Sequence, residues 1–202
     1  MMQELSLERD VMPLVADGYD VKNALFQGGV ADGLNLENAG IENCDFSGCR
    51  FPGCSFARAT LHDVNFVSCD LSGVNFRDAG LKNVSFTNCK LTGAAFLDAL
   101  LTGCVFCGCQ GRYSNFAKAR LRDCDLVESA FPEASFFEVR FQKCRLASDL
   151  SRADLSHAEL RGVDLRACTL DGTIFTLTKL QGLIVTRDQA SAIAAILGLD
   201  IR

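Results

Sequence analysis

The densest reactive stretch of the chain is LTGCVFCGCQ, Leu101 to Gln110, which places Cys104, Cys107 and Cys109 within six residues. Thiolates at such a spacing can ligate a soft metal ion or exchange disulfides. The chain has 11 cysteines but only two histidines, His62 and His157. Either chemistry needs side chains that converge on one point, so the element that carries them decides what they can do.

That element is a beat of five. From Leu36 to Leu146, in steps of five, 22 of 23 positions are Leu, Ile or Phe, and the exception is Gly111. One residue drops out near Ala147 to Asp149. The series resumes at Leu150, runs through Leu155, Leu160, Leu165, Leu170, Phe175 and Leu180, and fades at Val185. Two residues before each such centre stands a small residue, as at Ala59, Val74 and Ala94. The residue just before the centre is often Asp or Asn, as at Asp45, Asn65 and Asp164. Two after it Gly, Asp or Asn recur, as at Gly48, Gly53, Asp63, Asp78 and Gly93.

A helix of 3.6 residues per turn would scatter such a series around all its sides, and a simple strand alternates every two residues. A unit of five with one small and one large inward side chain must turn after each unit, and Gly, Asn and Asp supply the turns. Such units bury their apolar pair only by stacking, which predicts an all-β solenoid. Phe46, Phe56, Phe66, Phe76, Phe86, Phe96, Phe106 and Phe116 recur every ten residues and are the expected core centres. The spacing alone allows coils of ten or of twenty.

In this phase ten of the 11 cysteines fall at the small inward position: Cys44, Cys49, Cys54, Cys69, Cys89, Cys104, Cys109, Cys124, Cys144 and Cys168. There a thiol serves as a small hydrophobe. Packed against Phe and Leu, it leaves no room for an ion, so no metal and no cofactor are expected. Cys107 follows a centre and should be the most accessible thiol. Both histidines follow centres and should point outward.

The run ADLSHAELRGVDLRACTL, Ala153 to Leu170, resembles the pentapeptide-repeat family, whose motif is Ala-(Asp/Asn)-Leu-x-x. The resemblance covers roughly residues 21–185. It implies a right-handed quadrilateral β-helix with four pentapeptides per coil, hence about eight coils and a rod on the order of 40 Å long at ~4.8 Å per coil. In coils of twenty, Cys49, Cys69, Cys89 and Cys109 would stack, as would Cys104, Cys124 and Cys144, at a spacing a disulfide tolerates.

Residues 1–20 read as a lead-in and residues 186–202 as a terminal helix with a tail. Thr186 and Gln189 form a capping-box pattern, Ala190, Ile193, Ala194 and Leu197 make an apolar stripe, and Gly198 stands where a helix would end. The helix could cap the open end of the solenoid. The order of last repeat, DQA and a short Ala-rich helix ending GL is similar to the gyrase-protecting members of the MfpA and Qnr type. That likeness implies a homodimer through the helix and a protein partner, DNA gyrase or topoisomerase IV, shielded from quinolones or a natural gyrase poison. The chain has no insertions between repeats, so it leans toward the loop-free MfpA type.

Composition agrees with a protein-binding rod. A chain of 202 residues with 49% hydrophobic content can bury one sizeable core. A net charge of −5 speaks against direct nucleic-acid binding. No apolar run is long enough to span a membrane and the N-terminus is not signal-like, which predicts a cytoplasmic protein with reduced thiols. No phosphate loop, zinc-protease, nucleophile-elbow or dinucleotide motif occurs, so no enzyme is expected. Some family members are thought to mimic DNA. The outward residues here place Glu37, Asp78, Asp98, Glu138 and Asp154 on one face, against Arg58, Arg77 and Lys118. Another face carries Arg120, Arg122, Arg140, Lys143, Arg161 and Lys179 against Asp123 and Glu159. DNA mimicry is therefore only weakly supported, and a scaffold with another protein partner is the alternative.

Overall fold

A computed structural model describes residues 3–7 and 20–196. Its strands are short and pair in parallel at an offset of twenty. Gly40–Ser47 lies on Thr60–Val67 with Ile41 opposite Leu61 and Phe46 opposite Phe66. The same step carries Leu61 to Leu81, Leu101 and Leu121, and Phe66 to Phe86 and Phe106. Single bridges hold the other two sides, from Arg50 to Asp70 and Lys90, and from Asn35 to Ser55 and Asn75. Four five-residue units thus close one coil, and about eight coils form a quadrilateral β-helix.

The centres fill the interior. Every one from Leu36 to Phe136 is buried. The phenylalanines form two columns. Phe26, Phe46, Phe66, Phe86 and Phe106 stack with centroids 4.6–5.2 Å apart, and Phe56, Phe76, Phe96, Phe116 and Phe136 do so at 4.6–5.1 Å. Between columns the rings meet edge to face, as for Phe86 and Phe96 at 6.0 Å. Both geometries suit the ring quadrupole.

From Val21 to Phe141 each corner is turned by the residue two after the centre, which lies in the left-handed region; the rule lapses at Ser148, Ala167 and Leu177. Glycine and Asn fit there, as at Gly48 (φ 64°) and Asn83 (φ 54°). The fold imposes the same conformation on Arg58, Tyr113, Lys118 and Glu138, whose types do not announce it.

Gly111, the one gap among the centres, is a fitted glycine. A Cβ there would run into Cδ1 and Cε1 of Phe131, whose ring leans over from the next coil. The dropped residue is absorbed as a bulge. Val127 pairs with Ala147 but Ala130 pairs with Asp149, so Glu128 and Ser129 face Ser148 alone. The offset is nineteen at Ser135–Asp154 and Arg140–Glu159, and returns to twenty at Asp154–Ile174. Around this break two expectations change. Phe141 and Cys144, read as inward and buried, are only partly so, because the following coil is a residue short and covers them less completely.

A helix, α1 (Arg187–Ile196), follows the last coil. Leu197 and Gly198 lie outside the described residues, as do residues 8–19.

Candidate functional surfaces

All eleven cysteines are free thiols, and among the described residues no group of three or more His, Cys, Asp or Glu is placed to hold a metal ion. The thiols have a different occupation, which the sequence did not disclose. The four corners of a coil are of two kinds. Two are closed by a turn in which the small residue's N–H donates to the carbonyl of the preceding centre, as in Ala79 to Phe76 (3.1 Å) and Ala94 to Leu91 (3.0 Å). At the other two, such as Phe46–Cys49, Phe66–Cys69 and Phe86–Cys89, no such bond forms.

The cysteines sit one coil above open corners. Cys69 Sγ lies 3.3 Å from the Phe46 carbonyl, Cys89 Sγ 3.3 Å from that of Phe66, and Cys109 Sγ 3.2 Å from that of Phe86. Each sulfur also takes a backbone hydrogen bond from the small residue directly below, Cys49, Cys69 and Cys89 respectively. The thiol is inserted into the open turn and joins the two groups the turn leaves apart. Cys44, Cys54, Cys104, Cys124 and Cys144 repeat the contact over the carbonyls of Val21, Ala31, Leu81, Leu101 and Leu121. Val64 and Val84 share a column with Cys104 and offer no such group, so bridging is frequent but not obligatory.

Ser129 occupies the same kind of site with a hydroxyl. Ser114 is the converse. It stands above Leu91–Ala94, a closed corner, and its Oγ is the one buried side-chain polar atom without a partner among the described residues. Burial pushes the Cys44, Cys54 and Cys168 thiols up from their ordinary pKa. Cys124, hydrogen-bonded to Cys104 and also buried, is pushed up to about 12. Thiols held protonated in this way are poor nucleophiles.

The outer faces carry the remaining polar chemistry. Residues just before centres form ladders and turns: Asn65 donates to Asp45 (2.7 Å), and the Asp70 and Asp154 carboxylates accept from the N–H groups of Ser72 and Ser156. The column Asn35, Ser55, Asn75, Ala95, Asn115, Ser135 and Asp154 marks the face that bears Glu37, Asp78, Asp98 and Glu138. Glu37 is paired with Arg58 at 2.8 Å and Asp78 with Arg77 at 3.5 Å, while Asp154 is turned to the backbone. Asp98 and Glu138 carry no ion pair among the described residues, and Lys118 stands between them one coil from each. Elsewhere, hydrogen bonds from Arg112 and Arg152 hold the Glu133 carboxyl below its usual range, and Arg166 holds Asp164 at about 2.

At the C-terminal end the capping box is formed. Thr186 N–H donates to Gln189 Oε1 (2.8 Å) and Gln189 N–H to Thr186 Oγ1 (3.2 Å). The Gln189 amide then donates to the carbonyls of Leu165 (3.0 Å) and Cys168 (2.8 Å), so one residue both starts α1 and ties it to the end of the solenoid. Ala190 is exposed, and Ile193 and Ala194 are half-buried. Among the described residues no helix is long and apolar enough to cross a membrane.

The repeats match two family models. The pentapeptide repeat region matches residues 59–126, and pentapeptide repeats (eight copies) match residues 114–147 and 148–182. No curated protein matches the chain. Among solved structures, a trypsin-treated QnrB1, described as a plasmid-mediated fluoroquinolone resistance protein, is 24% identical over 92% of this chain and 91% of that one, with a TM-score of 0.46. Full-length QnrB1 is 20% identical over 87% and 100%, with a TM-score of 0.44. HetL from the cyanobacterium Nostoc sp. strain PCC 7120, a protein involved in heterocyst differentiation regulation, is 17% identical over 87% and 93%, with a TM-score of 0.27. With the five-residue beat, the twenty-residue register and more than half its length matched by the repeat models, the chain belongs to the pentapeptide-repeat family.

Proposed function

We propose that this protein is a cytoplasmic, non-enzymatic rod that binds a type II topoisomerase, DNA gyrase or topoisomerase IV, and modulates it or protects it from quinolones or a natural gyrase poison. The observation that carries this is the junction of last coil and α1. Its DQA sequence is the feature similar to the gyrase-protecting members, and Gln189 within it ties the helix to the carbonyls of Leu165 and Cys168. The exposed Ala190 and half-buried Ile193 and Ala194 would pair two copies end to end, joined by Leu197 beyond the described residues. The face of Glu37, Asp78, Asp98, Glu138 and Asp154 would meet the enzyme. Because two of its carboxylates are ion-paired, it offers partial mimicry of a phosphate row at most.

A supercoiling assay with gyrase and a quinolone, titrated with the protein, tests the reading. Relief of drug inhibition, or direct inhibition of supercoiling, is expected at micromolar protein, and neither effect at that concentration contradicts it. A second reading, a scaffold for a protein other than a topoisomerase, is favoured by the basic half of the face centred on Leu121, Phe141 and Leu160, which a DNA mimic would not need.

A further inference from the structure

That basic half has a built shape. Arg120 stands in register with Arg140 on the next coil, and Arg122 with Gln142. Like charges placed opposite one another destabilise a ladder, so the pair is not there for the fold. A groove of about 450 Å³ is lined by Arg120, Arg122, Arg140, Gln142 and Glu159, together with Phe141. Phe141 is the one centre between Leu36 and Leu165 that is not buried. Arg140 is paired with Glu159 at 3.0 Å and Arg122 Nε donates to Gln142 at 3.0 Å. Among the described residues no carboxylate pairs with Arg120, Lys143, Arg161 or Lys179.

We infer that this groove docks an acidic segment of a partner protein, with carboxylates on Arg120 and Arg140 and an apolar side chain against Phe141. The inference does not depend on which protein carries that segment. Guanidinium groups around an accessible aromatic ring are the composition of interface hot spots. A polyphosphate backbone fits less well. Asp123 and Glu159 stand within the row, and the chain's net charge of −5 opposes a ligand whose affinity sums over many phosphates. The Arg120–Arg122 strand is paired on both sides and Arg140 is bridged onward to Glu159, so the partner lies on side chains and does not extend the sheet.

Fluorescence anisotropy of the full chain with a short labelled peptide of alternating Glu and Phe tests this, with duplex DNA and inorganic phosphate as comparators. Micromolar peptide binding that weakens with salt is expected, and about a tenfold loss in Arg120→Glu. Phe141→Leu, which keeps an apolar centre, should weaken binding severalfold. Arg120→Glu should melt no lower than the native chain, because it sets opposite charges across the ladder. Absence of peptide binding, equal binding by Arg120→Glu, tighter binding of DNA than of peptide, or a lower melting temperature for Arg120→Glu would each overturn the proposal.

Discussion

Ser129 stands one coil above Cys109 and closes the turn that Cys109 leaves open. The Cys109 N–H donates to Ser129 Oγ at 2.9 Å, and that hydroxyl has the carbonyls of Phe106 and Val127 at 3.3 and 2.9 Å for its single proton. The cysteines below it make the same insertion with sulfur, so the inward thiols complete the backbone hydrogen bonding as well as filling space. A buried N–H or C=O left unpaired costs free energy, which gives the small position over an open corner a polar duty.

Cys109→Ser should therefore retain stability to within about 1 kcal/mol, whereas Cys109→Ala, which strands the Cys89 N–H, should lose about 1–3 kcal/mol. Ser114→Ala should be neutral or stabilising, because its hydroxyl has no partner above a closed corner. Urea unfolding of the three variants checks the set. A Cys109→Ala protein as stable as Cys109→Ser would show that the thiol only packs.

Gly111→Leu restores the periodic residue and should nonetheless destabilise the rod by about 1–3 kcal/mol, since its side chain must displace the Phe131 ring. Combining it with Phe131→Ala should recover part of that loss relative to the sum of the single changes. Additive losses in a double-mutant cycle would mean the two positions do not share one space.

Lys118→Gly should stabilise by about 0.5–1 kcal/mol. Lys118 holds φ 60°, a conformation that costs an L-residue about 1–2 kcal/mol, and glycine's larger unfolded-state entropy offsets only part of the relief. Thermal melts decide it, and a lower melting temperature would argue against a left-handed corner there.

Stability should fall as pH rises above the ordinary thiol range. Burial raises Cys44, Cys54 and Cys168 in the folded state, so between the unfolded and folded pKa values the native chain holds protons that the unfolded chain has released. Unfolding then releases protons, and the contribution present below the unfolded thiol pKa is lost toward the folded values. Melting temperatures from pH 7 to pH 10 should drop more steeply for the native chain than for a Cys44→Ala/Cys54→Ala variant. Parallel curves would contradict the linkage.

Ile193→Asp should yield monomers if two copies pair through α1. Sedimentation that still gives dimers would place the interface elsewhere, and a large loss of melting temperature would show that Ile193 serves as a cap on Leu170.

How much of this was written in the sequence differs by level. The beat of five, the inward cysteines, the phenylalanine centres and the Thr186–Gln189 cap were legible, because each is a local rule about size, polarity or turn chemistry repeated along the chain. The twenty-residue coil came only by resemblance, and the structure fixes it through register, such as Ile41 on Leu61. Which corners are open, why Ser114 is unpaired, why Gly111 must be small and why Phe141 is half-exposed could not be read locally. Each depends on what lies one coil above or below, some twenty residues away, and on where a bulge shifts that offset to nineteen. The left-handed corners at Arg58, Tyr113 and Lys118 follow the same logic: stacked neighbours on both sides hold a conformation that those residues would not choose alone. The sequence by itself determined the solenoid and its interior, since a repeated apolar pair can be buried only by stacking. Tertiary structure decided the pattern of the outer faces, because only the register of the coils sets Arg120 beside Arg140 and Glu37 against Arg58.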